Sequence, residues 1–338
     1  MKRTWSALAI AAALLLLTAA LGALVGAVRI APLDALRALA SPGPATEWQR
    51  AVLLGVRLPR VTVAALSGAA LAVSGCALQG LFRNPLADPG VLGVSSGAAL
   101  GAVIAIYSGL TLRFPSAVAL ASCLGALAVT LLVYMAATRL KSGASTALLL
   151  TGVAAGQLAA AASSLVITLS LADYAVSSQI VRWLLGGFEA RSWLHVAWGV
   201  GPIGAGLVLV LLDARGLDAL LLGELGATAV GIDVSALRRR LVISSALLTG
   251  ASVAIGGSVA FVGLLVPHLL RRWLGARHLP LVAVSAVGGG VLMVLADLLS
   301  RTIAAPAELP VGVITAALGA PLFLSVLLRE ARRSPVPS

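Results

Sequence analysis

NPLADPGVLGVSSG, residues 84–97, separates two long apolar runs with two prolines and three glycines. Proline removes a backbone donor and disfavours helix at the residue before it. Irregular backbone survives at membrane depth only where protein buries it or where it lines a water-filled cavity. The stretch therefore predicts a broken or late-starting helix beside a pathway, which Asn84 and Leu86 would narrow at its cytoplasmic end.

The chain has the composition of a membrane protein. Of its 338 residues, 60% are hydrophobic and 11% are charged, and the mean hydropathy is +1.05. Soluble domains carry about a quarter charged residues, so this chain has too few to cover a water-facing surface. A β-barrel would show alternating segments of about ten residues rather than apolar blocks of helical length. We predict an all-α polytopic membrane protein with one transmembrane domain over 1–338.

The apolar blocks predict about ten transmembrane helices, with nine or eleven as alternatives. The span 262–273 is too short to cross a bilayer, so it is expected to be a partial helix or to merge with its neighbour. The first span starts with basic residues, as a signal peptide does, but its apolar run of about 20 residues favours a retained helix. The predicted spans are 5–28, 60–82, 93–109, 115–138, 144–168, 192–213, 237–258, 262–273, 279–303 and 309–329.

Basic residues predict the orientation. With the N-terminus inside, fifteen of the 24 lysines and arginines fall on the inner side and nine on the outer side, which places both termini in the cytoplasm. Five of the nine outer residues lie in 29–60, an excess that the orientation does not explain. The inner segment 214–236 contains three acidic residues and is expected to form two short helices hinged near Gly223. The scattered basic residues do not form a nucleic-acid-binding stripe.

Two motifs suggest chemistry, and each has a simpler interpretation. Gly93–Gly97 matches a serine-nucleophile pattern, but a Pro-rich loop precedes it, so Ser95 or Ser96 is expected to cap a helix. A serine hydrolase is the remote alternative. Asp297 is the one acid deep in a predicted span, and Arg301 lies one helical turn away as its expected partner. An ion-driven secondary carrier is the alternative for this carboxylate.

The remaining candidate ligands predict no metal site and no bound cofactor. The three histidines, His195, His268 and His278, lack helical ligand spacing, and the two cysteines lie in apolar segments as expected for buried thiols. Neither lysine follows a glycine, so the chain has no phosphate-binding loop. Transport powered by a nucleotide would need an ATPase on another polypeptide.

Three long segments and two shorter ones carry the motifs of one family. The long segments are RLPRVTVAALSGAALAVSGCALQGLFRNPLADPGVLGVSSGAALGA (57–102), GSVAFVGLLVPHLLRRWLG (257–275) and DLLSRTIAAPAELPVGVITAALGAPLFLSVLL (297–328). The shorter ones are LLLGELGATAVGI (220–232) and RWLLGGF (182–188). These segments resemble the permease subunits of the ABC importers for iron–siderophores, haem and cobalamin, the type II or FecCD-like importers, and RWLLGGF is similar to a periplasmic pathway helix of that family. The resemblance covers nearly the whole chain from about residue 50.

The resemblance implies a permease of about ten helices that works as a homodimer in the bacterial inner membrane, with the pathway at the dimer interface. Two ATPase subunits, which bind ATP and Mg, would sit below it, and a periplasmic substrate-binding protein would deliver substrate from above. The permease itself would catalyse no reaction. The expected substrate is haem or another iron chelate such as a ferric siderophore, with cobalamin as the alternative.

The resemblance also implies three sets of site residues. The cytoplasmic gate matches Asn84, Pro85 and Leu86, and a second gate matches Ser142, Gly143 and Ser145. Coupling to the ATPase matches Leu222, Gly223, Glu224 and Leu225, within helices over 215–235. Docking of the binding protein matches Arg57, Arg60 and Arg301, whose counterparts in the family meet carboxylates; arginine suits such partners because its planar fork forms bidentate bonds.

Overall fold

The computed structural model describes residues 2–26, 28, 30–40, 43, 46–140 and 144–333. Across these residues the regular structure is helical, and no strand occurs in the described ranges. A π-helical segment, Val52–Arg57, makes α3 and α4 continuous, and a 3-10 turn, Pro89–Leu92, precedes α5. The α-helices are α1 (Lys2–Leu24), α2 (Pro32–Ala40), α3 (Glu47–Ala51), α4 (Leu58–Leu81), α5 (Val94–Tyr107), α6 (Leu110–Arg113), α7 (Ala117–Arg139), α8 (Ala144–Ser170), α9 (Tyr174–Leu184), α10 (Trp193–Leu212), α11 (Ala214–Leu220), α12 (Glu224–Ala229), α13 (Val234–Gly256), α14 (Val262–Leu274), α15 (His278–Thr302) and α16 (Val311–Arg333).

Ten of these helices coincide with the ten predicted spans, and the all-α prediction is confirmed. The α14 helix has 13 residues, so it is about 20 Å long and is the partial helix that its length predicted. The α5 helix and Val311–Ser325 are apolar but short. Among the described residues, six helical segments are long and apolar enough to cross a membrane: Arg3–Leu24, Glu47–Leu81, Ala117–Arg139, Thr146–Ser170, Trp193–Leu212 and His278–Thr302.

The bundle has two ends, which are named here by the direction of α1. The proximal end is where α1 begins, and it carries the turn 82–93, the helices α11 and α12, and the turn 275–277. The distal end is where α1 ends, and it carries α2, α3, α6, α9 and the turn 303–310.

Helix α4 forms the centre of the bundle and packs against α15, α13, α14 and α10. Glycines allow these helices to approach closely: a Cβ on Gly68, for example, would lie 2.1 Å from the Gly289 carbonyl oxygen. Hydroxyl pairs add polar contacts, with Ser67 and Ser252 hydrogen-bonded at 2.6 Å between α4 and α13. Small residues and interhelical hydroxyl bonds of this kind favour helix association in membranes.

The connection between α13 and α14 is irregular backbone inside the bundle. Helix α13 ends beside Ser67 of α4, and a Cβ on Gly256 would lie 3.3 Å from the Ser67 hydroxyl. The segment 257–261 then packs against the end of α9, where the Gly187 N–H donates to the Gly256 carbonyl at 2.9 Å. The segment after α9 thus satisfies a carbonyl oxygen at the end of α13, as irregular backbone away from water requires.

Candidate functional site

The stretch 84–97 forms a turn followed by a late-starting helix, as its prolines and glycines predicted. Arg83 has a left-handed φ of 50°, and the Asn84 side-chain oxygen accepts a hydrogen bond from the Leu86 N–H at 2.9 Å. The Asp88 carboxylate caps the 3-10 turn by accepting from the Gly90 N–H at 2.8 Å. Burial raises the pKa of the Asp88 carboxyl above its ordinary value, against the opposing effect of this bond. The turn is therefore held by its own side chains.

The predicted caps of α5, Ser95 or Ser96, are wrong by two or three residues. The helix starts at Val94, with Gly93 as its N-cap, so Ser95 and Ser96 lie inside the first turn. Gly93 has a φ of 72°, a left-handed conformation that favours glycine, and a Cβ there would lie 3.0 Å from the backbone of Gly152 and of Gly156. Close packing on α8 decides where the helix begins, and sequence periodicity does not reveal that contact.

The second predicted gate is only partly described. Ser142 and Gly143 lie outside the described residues, and Ser145 falls in the first turn of α8 at the proximal end. Its expected gate function stays a prediction.

The predicted pair of short inner helices is present as α11 and α12. Gly223 joins them with a φ of 91°, which favours glycine, and the Glu224 carboxylate pairs with Arg238 of α13 at 2.7 Å. Two leucines at the joint face outward, because Leu222 is 68% exposed and Leu225 is 89% exposed. The surface made by Leu222, Gly223, Glu224 and Leu225, called here the α11–α12 tip, thus exposes apolar side chains at the end of the bundle.

The α11–α12 tip lies beside the turn 82–93, and α11 itself contacts the start of α15. A Cβ on Gly223 would lie 3.5 Å from a guanidinium nitrogen of Arg83, one residue before Asn84. The Asp218 carboxylate accepts hydrogen bonds from the His278 backbone N–H at 2.7 Å and from its ring Nδ1 at 2.8 Å. Sequence analysis found no ligand spacing for His278 and did not foresee this partner, which lies 60 residues earlier in the chain.

Replacing Asp218 with alanine is expected to lower the free energy of unfolding by about 1–2 kcal/mol, because α15 loses the carboxylate that caps its first turn. Thermal unfolding in detergent, followed by tryptophan fluorescence, measures the change. Asp34→Ala is the control, since Asp34 makes only an exposed pair with Arg37 at 3.6 Å. Equal effects of the two substitutions would show that the Asp218–His278 contact does not stabilise the fold.

A charged cluster holds the distal end together. The Arg60 guanidinium contacts the Asp297 carboxylate at 2.8 Å and the Glu308 carboxylate at 2.9 Å. Arg301 pairs with Asp297 at 3.1 Å, which confirms the predicted pair one helical turn apart. Asp297 is fully buried and faces two arginines, so a partner compensates the cost of its charge.

The three arginines predicted to dock a binding protein are buried here. Arg57, Arg60 and Arg301 are 5%, 7% and 6% exposed. Arg57 donates to the carbonyl oxygens of Ala23 and Leu24, each at 2.8 Å, and to that of Val28. These contacts explain two of the five basic residues in 29–60, because Arg57 and Arg60 bind groups of this chain. In this conformation the arginines fasten α1, α4 and α15 together and leave little surface for a partner.

A cleft of about 480 Å³ opens beside this cluster at the distal end. Glu308 lines this cleft together with Arg182 and Trp183 at the end of α9 and with Glu189 and Arg191 of the segment that follows. Burial lowers the pKa of the Arg191 guanidinium to about 10, with Glu189 opposing that shift. The cleft therefore combines both signs of charge with an aromatic ring, next to the segment 182–188 that resembles a pathway helix.

Comparison with known proteins identifies the family of this chain. The sequence profile of the FecCD transport family matches residues 14–329. The vitamin B12 import system permease BtuC of Vibrio vulnificus is 39% identical over 331 residues, which cover 97% of this chain and 96% of that protein. The hemin transport system permease HmuU of Yersinia pestis is 42% identical over 284 residues, covering 82% and 84%.

A solved structure supports the same assignment. It is described as an inward-facing metal-chelate type ABC transporter, and it superposes with a TM-score of 0.84 at 32% identity. The match covers 95% of this chain and 98% of that one. Together, the profile, the relatives and the shared fold show that this chain belongs to the FecCD transport family and is a permease of the ABC importer type.

Proposed function

We propose that two copies of this chain form the translocation pathway of an ATP-driven importer for a bulky metal chelate. ATP would be hydrolysed by separate ATPase subunits at the proximal end, which would lie in the cytoplasm of a bacterial cell together with both termini. A periplasmic substrate-binding protein would dock at the distal end. The observation that carries the proposal is the α11–α12 tip, an exposed apolar joint in contact with the turn 82–93.

The α11–α12 tip suits a surface that transmits force from an ATPase. Its leucines offer apolar area to a groove, and Asp218 ties its first helix to the start of α15. Gly223 lies beside Arg83. A displacement of the tip would therefore be transmitted through the Arg83 side chain to Asn84, Pro85 and Leu86. We infer that these three residues form the cytoplasmic gate and that Glu224 fixes the tip through Arg238.

Replacing Leu225 with aspartate is expected to weaken binding of the ATPase subunit about thirtyfold, the effect of losing roughly 2 kcal/mol at a central apolar contact. Co-purification with the cognate ATPase subunit and titration in detergent measure the change. Leu112→Asp is a matched control, because Leu112 is 91% exposed and Leu225 is 89% exposed, but Leu112 lies in α6 at the distal end. If both variants bind the ATPase equally well, the tip is not the docking surface.

The distal end is proposed to dock the binding protein through exposed residues around the charged cluster. Arg57, Arg60 and Arg301 would position this surface from within, while Arg182 and Glu308 at the cleft present charges to a partner. Charge complementarity of this kind mainly sets association rate and specificity.

The substrate is proposed to be haem or another iron chelate, with cobalamin as the second candidate. Relatives of this chain support both candidates. Cobalamin is supported by the permease BtuC, named for vitamin B12, which matches along nearly its whole length. Haem is supported by HmuU, named for hemin, which matches with 42% identity. Ligand-stimulated ATPase activity of the reconstituted complex with its own binding protein discriminates among haem, ferric siderophores and cobalamin. Stimulation by none of them would overturn the metal-chelate proposal.

A further inference from the structure

A lateral groove of about 860 Å³ lies between α1, α14 and α15 at the proximal end. It is separate from the turn 82–93 and from the α11–α12 tip. Apolar side chains form most of its wall, among them Ile10, Leu14 and Leu270. Gly288 of α15 also lines the groove and leaves room for a larger side chain, since the nearest atoms to a Cβ there would be 3.4 Å away.

Cationic and aromatic side chains stand at one end of this groove. Arg3 lies in the first turn of α1 and Arg272 in the last turn of α14; both line the groove, and both are exposed. Within the described part of the chain, neither guanidinium has an ion-pair partner. Trp273 beside them is 83% exposed, and tryptophan is enriched where membranes meet water. The groove thus has a positive, amphipathic mouth and an apolar interior.

The depth of the groove matches one leaflet of a bilayer. It runs along α1 from Arg3 to Leu14, a rise of about 16 Å in an α-helix. The hydrocarbon core of a bilayer is about 30 Å thick, so one leaflet contributes about 15 Å. A ligand that filled the groove would place an anionic group at the arginines and an apolar chain alongside α1.

We propose that this groove binds one anionic glycerophospholipid of the proximal leaflet. Its phosphate contacts Arg3 and Arg272, because guanidinium forks form charge-assisted, bidentate bonds with phosphate oxygens. One acyl chain lies between α1 and the α14–α15 pair, and Trp273 sits at the level of the headgroup. Basic pockets between transmembrane helices are the sites at which anionic headgroups bind.

A second copy of this chain is a weaker candidate for the occupant. A two-fold interface presents the same patch from both subunits, so two positively charged patches would meet. Like charges placed opposite each other disfavour such a contact. A phospholipid supplies the opposite charge and the apolar chain in one molecule.

The test measures lipids bound to the full-length chain purified in detergent. Native mass spectrometry with added phosphatidylglycerol is compared with the same titration using phosphatidylethanolamine. Removing both charges with Arg3→Gln and Arg272→Gln is expected to weaken phosphatidylglycerol binding roughly thirtyfold, at about one kcal/mol for each arginine. The control, Arg139→Gln with Arg239→Gln, removes two exposed arginines from the same end, outside the groove, and keeps the binding.

A second pair of variants tests the apolar part of the site. Gly288→Leu fills the groove and is expected to abolish the bound lipid, while Gly204→Leu, on an open face of α10, retains it. Equal binding of the two lipids, or equal loss in the control pair of arginines, would overturn the proposal. A loss of dimer in the groove variants with unchanged phosphatidylglycerol binding would overturn it in favour of a second copy.

Discussion

Gly75→Ala is expected to destabilise the protein by about 3 kcal/mol or more, the upper end of the cost of overpacking a core. A Cβ at this position would lie 1.8 Å from the Gly263 carbonyl oxygen and 2.7 Å from the Gly263 Cα. Both atoms belong to the backbone of α14, so no side chain can move aside. Helices α4 and α14 would have to separate, and with them the packing that positions the turn 82–93.

The matched control for Gly75 is Gly204→Ala in α10. No atom lies within 4 Å of a Cβ at Gly204, and alanine has the higher helix propensity by about 1 kcal/mol. The control is therefore expected to be neutral or slightly stabilising. Denaturant titration in mixed micelles gives both free energies of unfolding. An equally stable Gly75→Ala variant would show that the close contact between α4 and α14 is absent from the protein in detergent.

Asp297→Asn is expected to cost about 3–5 kcal/mol, the effect of removing one partner from a buried ion pair. The substitution keeps the size of the side chain but leaves Arg60 and Arg301 facing a neutral group. Glu308, whose side chain is 31% exposed, would be the remaining carboxylate near Arg60. The same unfolding measurement applies, and loss of the distal contacts should also expose α1 to proteolysis.

Two further variants test whether charge balance sets the contribution of Asp297 to stability. Glu308→Gln is expected to cost about 1 kcal/mol or less, because a partly solvated pair contributes little. Adding Arg301→Gln to Asp297→Asn should recover part of the stability, since one uncompensated buried cation is removed. No recovery in the double variant would mean that hydrogen bonding, and not charge balance, sets the contribution of Asp297.

Local pattern predicted most of the helices. Apolar blocks of bilayer length gave the ten spans, and the prolines and glycines of 84–97 gave the turn before α5. The joint at Gly223 followed from three acidic residues in a moderately apolar segment. These features depend on residues close in sequence, so composition and spacing were sufficient. The start of α5 was missed because packing of Gly93 on α8 sets it.

Contacts between distant parts of the chain were not predictable in this way. Arg60 and Asp297 are 237 residues apart, and nothing in the spacing of either one indicates the other. A signal was nevertheless present: an unexplained excess of arginines in 29–60 and one acid deep in an apolar span. Buried charges require partners, so these two observations could have been joined. The Asp218–His278 contact left a weaker signal, an acid within the segment 214–236 and a histidine directly before the predicted span 279–303.

Helix α4 connects the distal cluster to the proximal turn without a break. About 30 Å of helix separates Arg60 from Leu81, and both ends are fastened to other elements. A rigid helix fastened at both ends couples the movement of one end to that of the other. Tilting α4 by about 10° around its middle would move its two ends about 3 Å in opposite directions. Widening of the space beside α4 at one face of the membrane would therefore be linked to narrowing of the space beside it at the other face.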